Sequence, residues 1–358
     1  MIIDIHGHFT SLQAIKDYRA NMVQAWESGD GAAFAAFECP DEDIRDAITS
    51  GQLRLQKERG TDLTLFSPIA GDMGHHVGDF ELSAFWSRTA NDLIARVIGM
   101  FPDNFIGVCQ LPQSPGADPA QLVPELERCI GMGFVGCNLN PDVSGGYWKS
   151  PPLYDRSFYP LYEKMCELDV PAMIHVTGSC NPAAHATGAH YIAGDTIAYM
   201  QLVQSDLFRD FPDLRFVIPH GGGAIPFHWG RYRGLAIQLG KGDLGEHLGR
   251  NVFFDTCVYH APGVALMSDV LPVENILFAS EMLGAVKCND PDTGHAFDDT
   301  KRYVDALPIS AAEKEQIFWR NAVRVYPRIA ERVDAIVAAR RGPTALPDDQ
   351  DHKVILQQ

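Results

Sequence analysis

Met1-Ile2-Ile3-Asp4-Ile5-His6-Gly7-His8 opens the chain with an apolar run that ends in two histidines two residues apart. On an extended strand residues i and i+2 leave the same face. Two imidazoles on one face at a strand's end grip one metal ion from adjacent directions, and the glycine between them keeps that approach uncrowded. Two surface histidines near a terminus would read the same way in isolation. The decision rests on whether later strands bring further ligands to the same end.

Working outward, short apolar runs alternate with amphipathic stretches. The pattern predicts strands over Ile2–His6, Asp62–Ser67, Phe105–Leu111, Phe134–Leu139, Ala172–Val176, Arg215–Pro219, Val252–Thr256 and Ile276–Ser280. Helices are expected over Asp41–Arg59, Leu82–Phe101, Pro119–Met132, Phe158–Leu168, Thr196–Phe211, Pro226–Leu239 and Pro262–Leu271, with a last one around Ala311–Arg320. Parallel strands need crossovers, and eight β/α units close on themselves, so the expected fold is a distorted (β/α)8 TIM barrel. An open doubly wound sheet usually carries a glycine-rich phosphate turn after its first strand, and His6-Gly7-His8 is not one. Ser11–Cys39 reads as an irregular inserted loop or lid after strand one. The barrel domain is expected over 1–337, with 338–358 a short C-terminal tail.

Composition narrows the partners. A hydrophobic share of 46% and a charged share of 21% over 358 residues suffice for a full soluble core. The net charge of −17 argues against nucleic acid and anionic membrane surfaces. No apolar run approaches the ~20 residues of a bilayer span, and no signal peptide is visible. The eight cysteines form no CxxC pair, so they read as reduced thiols of a cytoplasmic protein.

Barrel enzymes place their chemistry at the C-terminal strand ends. Those ends carry His6 and His8, Ser67, Gln113, Asn138 and Asn140, His175, His220, Tyr259 and His260, and Glu281. His6, His8 and His175 with Glu281 make a nitrogen/oxygen shell that suits one Zn2+ per subunit.

HxH on strand one, His175 on strand five, His220-Gly-Gly-Gly on strand six and an acid ending strand eight resemble the amidohydrolase superfamily. Within it they resemble the branch of carboxylate-handling lyases, which includes decarboxylases and a hydratase. Leu111-Pro-Gln-Ser-Pro, Gly136-Cys-Asn-Leu-Asn-Pro-Asp, Met173-Ile-His-Val-Thr-Gly-Ser-Cys-Asn-Pro, Asn251-Val-Phe-Phe-Asp-Thr-Cys-Val-Tyr-His and Asp298-Asp-Thr-Lys-Arg-Tyr are similar to the hydratase's segments, from residue 1 to about 330. The hydrolases and decarboxylases usually end strand eight with aspartate. Glu281 in Ser280-Glu281-Met282 is similar to the hydratase instead.

The resemblance implies a lyase that adds water across the double bond of a six-carbon enone tricarboxylate, giving 4-carboxy-4-hydroxy-2-oxoadipate in the protocatechuate 4,5-cleavage route of aromatic catabolism. Glu281 is then the candidate base and His220 the acid–base partner. Candidate contacts for the small tricarboxylate are His76, Asn138, Lys149, Tyr191, Arg231 and Arg233. Two alternatives stay open: a zinc-dependent decarboxylase of a related aromatic or muconate substrate, and a metal-binding barrel without catalysis. Related lyases imply a homo-oligomer, with a dimer favoured.

Overall fold

In the computed structural model, which describes residues 1–185 and 189–341, nine strand segments follow one another in chain order. They are β1 (Ile3–His8), β2 (Leu63–Ser67), β3 (Phe105–Gly107), β4 (Cys109–Gln110), β5 (Cys137–Leu139), β6 (Ala172–Ile174), β7 (Phe216–Ile218), β8 (Val252–Asp255) and β9 (Ile276–Leu277). All neighbours pair in parallel, as β1-β2-β3 and β4 through β9. Val108 divides the third stave: its N–H turns back to Phe66 O at 2.9 Å, while Cys109 N reaches Gly136 O at 3.0 Å. Val135 N donates to Gly107 O at 2.9 Å, so β3 and β4 form one stave. The ring closes where Ile5 N donates to Phe278 O at 3.1 Å and Glu281 N donates to His6 O at 2.9 Å. Eight staves and their crossovers make the expected barrel.

Strand periodicity sorts the core into two layers. Ile3, Ile5, Leu65, Val108, Met173, Val217, Phe253 and Leu277 fill the barrel interior, closed at one end by Val325, Tyr326 and Ile329. The intervening residues, such as Phe66, Ile174, Phe216, Ile218 and Phe254, pack outward under the helices. Two steps beyond Met173 comes His175, two beyond Phe253 comes Asp255, and four beyond Leu277 comes Glu281. Alternation alone thus carries these three side chains into the barrel mouth.

β1 breaks that rule. Ile3 and Ile5 are interior residues, so a regular strand would turn His6 and His8 outward. The β1–β2 register runs from Asp4↔Thr64 to Gly7↔Phe66, three steps on one strand against two on the other. That extra residue is a bulge, and it reverses the parity of everything after it. Gly7 occupies the reversed outward position, where a Cβ would lie 2.5 Å from Thr64 Cγ2. The glycine therefore relieves crowding against β2, which corrects the expectation that it clears the metal side.

Several expected boundaries shift. The stretch read as an irregular loop over Ser11–Cys39 contains a 15-residue helix, Gln13–Glu27. It escapes sequence reading because it lacks a side-chain N-cap, first-turn acids and last-turn bases, and buries only Ile15 and Met22. The expected Asp41–Arg59 helix breaks at Gly51 into Asp41–Ser50 and Gln52–Arg59. The helix expected over Thr196–Phe211 begins earlier, as Ala189–Gln204, with a short turn at Leu207–Asp210. At the C-terminal end, Ala330–Arg341 is helical across the expected 337/338 boundary, and the rest of the expected tail lies outside the described residues. Among the described residues no helix is long and apolar enough to cross a membrane, and all eight cysteines are free.

Candidate active site

The bulge on β1 and the alternation on β6 bring three imidazoles together at the C-terminal mouth. His6 Nε2 lies 3.0 Å from His8 Nε2 and 3.1 Å from His175 Nε2, and His8 Nε2 lies 3.2 Å from His175 Nε2. Each ring is turned by its other nitrogen. His6 Nδ1 donates to Asp255 Oδ2 at 2.8 Å, and His175 Nδ1 to Val176 O at 3.1 Å. His8 Nδ1 sits 2.8 Å from Ser67 Oγ and 3.0 Å from Pro68 O. With the proton on Nδ1, all three Nε2 lone pairs face one point. Burial, reinforced by the neighbouring imidazoles, holds His8 and His175 well below the usual histidine range, in the neutral form that ligates.

The donor set fits a divalent metal. Ligands ~2.1 Å from a tetrahedral centre lie about 3.4 Å apart, and cis ligands of an octahedral centre about 3.0 Å. The observed separations fall between the two. They suit a small divalent ion without choosing its coordination number.

Glu281 and His220 flank the trio. A Glu281 carboxylate oxygen shares a metal-sized cluster with His6 and His8, and His220 shares one with His6 and His175. Both residues adopt left-handed backbone, with φ of 48° at Glu281 and 52° at His220. Side chains rarely tolerate this conformation, and it is concentrated at functional sites. After His220 φ stays positive through Gly221, Gly222 and Gly223. A Cβ at Gly222 would fall 2.6 Å from Phe254 Cδ1, so the three-glycine turn lets the backbone pass this close to β8.

The two flanking groups have their own supports. Tyr259 Oη donates to Glu281 Oε2 at 2.9 Å. His220 Nδ1 donates to the buried Asp195 Oδ2 at 2.8 Å. Burial by itself would lower the His220 pKa, but the Asp195 carboxylate outweighs it and holds the imidazole above its ordinary value. At Asp255 burial pushes upward, yet the bond from His6 and the charges of His6 and His220 hold the carboxyl low. Asp255 Oδ1 also accepts from Gly221 N at 3.1 Å and Cys257 N at 3.0 Å, tying the β7 turn to β8.

The remaining expected residues fall in different places. Tyr191 lies against His220, ring centroids 4.4 Å apart. Asn138 is buried behind His8, its amide donating to Ser67 Oγ at 3.2 Å, which makes it a support for the metal side. His76 is half-buried, with its Nδ1 enclosed. Lys149 is exposed, its Nζ 5.4 Å from the Tyr147 ring centroid. It rides on a loop held by Asp142, which accepts backbone N–H groups from Ser144, Gly146 and Trp148. Arg231 and Arg233 are exposed on the helix Trp229–Gln238, and Arg233 pairs with Asp243 at 3.8 Å. Neither arginine makes a hydrogen bond or ion pair to the histidine cluster.

Sequence reading did not assign Asp195, Asp255 or the partnership of Tyr259 with Glu281. Asp255 had a detectable signal, an acid at the inward position that ends an apolar strand. Asp195 had none, because it lies on a helix 25 residues before its histidine.

Comparison with known proteins agrees with this geometry. Residues 3–328 match the family model described as amidohydrolase. The chain is 58% identical over 337 residues to 2-keto-4-carboxy-3-hexenedioate hydratase of Sphingobium sp. (strain NBRC 103272 / SYK-6), covering 94% of this chain and 98% of that protein. The crystal structure of 4-oxalomesaconate hydratase from Rhodopseudomonas palustris superposes with a TM-score of 0.87 at 51% identity, over 95% of this chain and 100% of the other. A dihydroxybenzoic acid decarboxylase from Polaromonas sp. JS666, solved with bound manganese, shares the fold at a TM-score of 0.68 and 22% identity, over 93% of this chain and 98% of that one. The chain belongs to the amidohydrolase family.

Proposed function

We propose that this protein is a metal-dependent hydro-lyase. It adds water to the carbon–carbon double bond of 4-oxalomesaconate (2-keto-4-carboxy-3-hexenedioate) and forms 4-carboxy-4-hydroxy-2-oxoadipate. The observation that carries the reading is a carboxylate and a carboxylate-backed imidazole set on two sides of one tri-histidine metal site. Its support is the 58% identity to a hydratase along nearly the whole chain, against 26% over 299 residues for gamma-resorcylate decarboxylase of Polaromonas sp. (strain JS666 / ATCC BAA-500).

His6, His8 and His175 would hold the metal, with Glu281 within reach as a fourth ligand. We take the metal to be zinc, because imidazole nitrogens with one carboxylate oxygen suit it. When bound it supplies Lewis acidity beside the reacting atoms. Glu281, oriented by Tyr259, takes a proton from the water whose oxygen bonds to C4. The C3=C4 electron pair moves toward C2, and negative charge develops on the 2-oxo group. His220, backed by Asp195, delivers a proton to C3, so one water is added and nothing leaves. Tyr191 closes the side of His220. The route served would be aromatic breakdown by protocatechuate 4,5-cleavage, in the cytoplasm, by a homo-oligomer.

The test supplies the enone tricarboxylate to metal-loaded protein and follows its ultraviolet absorbance together with released carbon dioxide. Absorbance loss without gas is expected. Stoichiometric gas would replace hydration with decarboxylation, and no change in either would remove the enzymatic reading.

A further inference from the structure

The bulge on β1 disturbs hydrogen bonding at the seam where the barrel closes. There Ile5 N donates to Phe278 O at 3.1 Å, and a regular parallel ladder would answer with Ser280 N on Ile5 O. Instead Ser280 N donates to Asp4 Oδ1 at 3.1 Å, and the seam resumes with Glu281 N on His6 O at 2.9 Å. His6 N turns to the same Asp4 Oδ1, at 3.1 Å. Two backbone N–H groups beside the irregularity thus converge on one carboxylate oxygen. The Ser280 hydroxyl donates to the other, Oδ2.

Asp4 is fully buried, and no lysine or arginine of the described residues pairs with it. A carboxylate so placed is costly unless hydrogen bonds meet it. All three that it accepts come from a candidate metal ligand or the neighbour of one. They close a ring: Asp4 to His6, His6 to Glu281, Glu281 along the chain to Ser280, and Ser280 back to Asp4. The far side of the Glu281 turn has its own anchor. Leu283 N donates to Asp298 Oδ2 at 2.9 Å, and Asp298 pairs with Arg59 at 2.7 Å. Glu281, at φ 48°, is therefore held between two buried carboxylates, and Asp4 is the one that reaches β1.

We propose that Asp4 is a positioning residue of the metal site: its carboxylate holds the β1 bulge and fixes where His6 and Glu281 stand relative to one another. The proposal rests on the metal-site part of the reading above. Without an acceptor in the seam, β1 is free to relax toward the regular register, which turns His6 and His8 away from the barrel mouth. An asparagine preserves the function. Its oxygen still accepts both N–H groups, and the Ser280 hydroxyl turns to accept from the amide. An alanine leaves all three donors unmet.

The experiment compares wild type with D4A, D4N and S280A. N275A is the control, because the Asn275 amide is a buried donor to Gly249 O and Val252 O, at the opposite end of the barrel. Readouts are Co2+ affinity by chelator competition, the visible spectrum of the Co2+ form, and urea unfolding of the metal-free protein. D4A should bind Co2+ about 10- to 100-fold more weakly, with shifted visible bands. D4N should stay within about threefold of wild type and keep its spectrum. S280A keeps both N–H contacts but strands Oδ2, so it should lose about 3- to 10-fold. N275A should lose stability while keeping wild-type affinity and spectrum. Wild-type affinity and spectrum in folded D4A would overturn the proposal, as would a loss in D4N as large as that in D4A. If D4A does not fold, S280A decides, and wild-type values there refute it. Wild type that takes up no Co2+ removes this proposal and the metal site together. These readouts need no substrate, so failure to hydrate the enone removes the hydratase reading and leaves the role of Asp4 to be decided by the variants.

Discussion

Asp255→Asn is a near-isosteric change whose consequence follows from counting donors. In the native site Oδ2 accepts from His6 Nδ1 at 2.8 Å, and Oδ1 accepts from the N–H groups of Gly221 and Cys257 at 3.1 and 3.0 Å. An asparagine offers one acceptor oxygen and one donor nitrogen. If its oxygen stays with the two backbone groups, the amide nitrogen faces His6 Nδ1. The imidazole proton must then move to Nε2, the atom that should ligate. If the amide flips, His6 keeps its tautomer but two buried N–H groups lose their acceptor. The first arrangement strands fewer donors and should prevail. Recovering the ligating tautomer then sacrifices a charge-assisted hydrogen bond worth about 1.5–3 kcal/mol. That corresponds to about a 10- to 100-fold loss of metal affinity, the range usual for a partner behind a metal-bound histidine. Competition against a chromophoric chelator, with circular dichroism to confirm folding, measures it. Wild-type metal affinity in folded D255N would refute the claim that Asp255 sets the His6 tautomer.

Three further outcomes are expected. Asp195→Asn removes the charge behind His220 but no metal ligand, so kcat should drop about 100-fold with metal content intact; a proportional loss of metal would show that His220 serves binding instead. Tyr259→Phe frees the Glu281 carboxylate, and kcat should fall about tenfold at unchanged KM and metal content; unchanged kcat would dismiss Tyr259 as an orienting group. Stability should also carry a signature of His75, which burial pushes down to about 4 while its Nδ1 donates to Gln113 O at 3.0 Å. Between pH 6.5 and 4 the unfolded chain takes a proton that the native His75 refuses, so the His75 contribution to stability should decline by about 3 kcal/mol across that window and no further below it. Urea unfolding of metal-free wild type against His75→Gln isolates this term, and a difference independent of pH would disprove it.

Much of this site was legible in sequence because strands report their own side-chain direction. His175 ends an apolar run, and Glu281 follows Leu277 and Ala279 with period two. The helix Gln13–Glu27 was hidden for the opposite reason: it fully buries only Ile15 and Met22, with Tyr18, Val23 and Trp26 partly buried beside them, and carries no side-chain cap, no acid in its first turn and no base in its last. Arg231 and Arg233 follow a suggestive glycine turn, but helical phase turns both to solvent.

Periodicity in the chain reveals the order of eight β/α units and the rim on which His6, His8, His175 and Glu281 come together. Those features are local, written in periodicities of two and 3.6. Only the tertiary structure decided that β1 carries a bulge, without which Ile3 and Ile5 inside would place His6 and His8 outside. It alone paired His6 with Asp255 and His220 with Asp195. The physical reason is shared by all of these. A bulge is defined by register against a neighbouring strand, and a tautomer by a partner far along the chain.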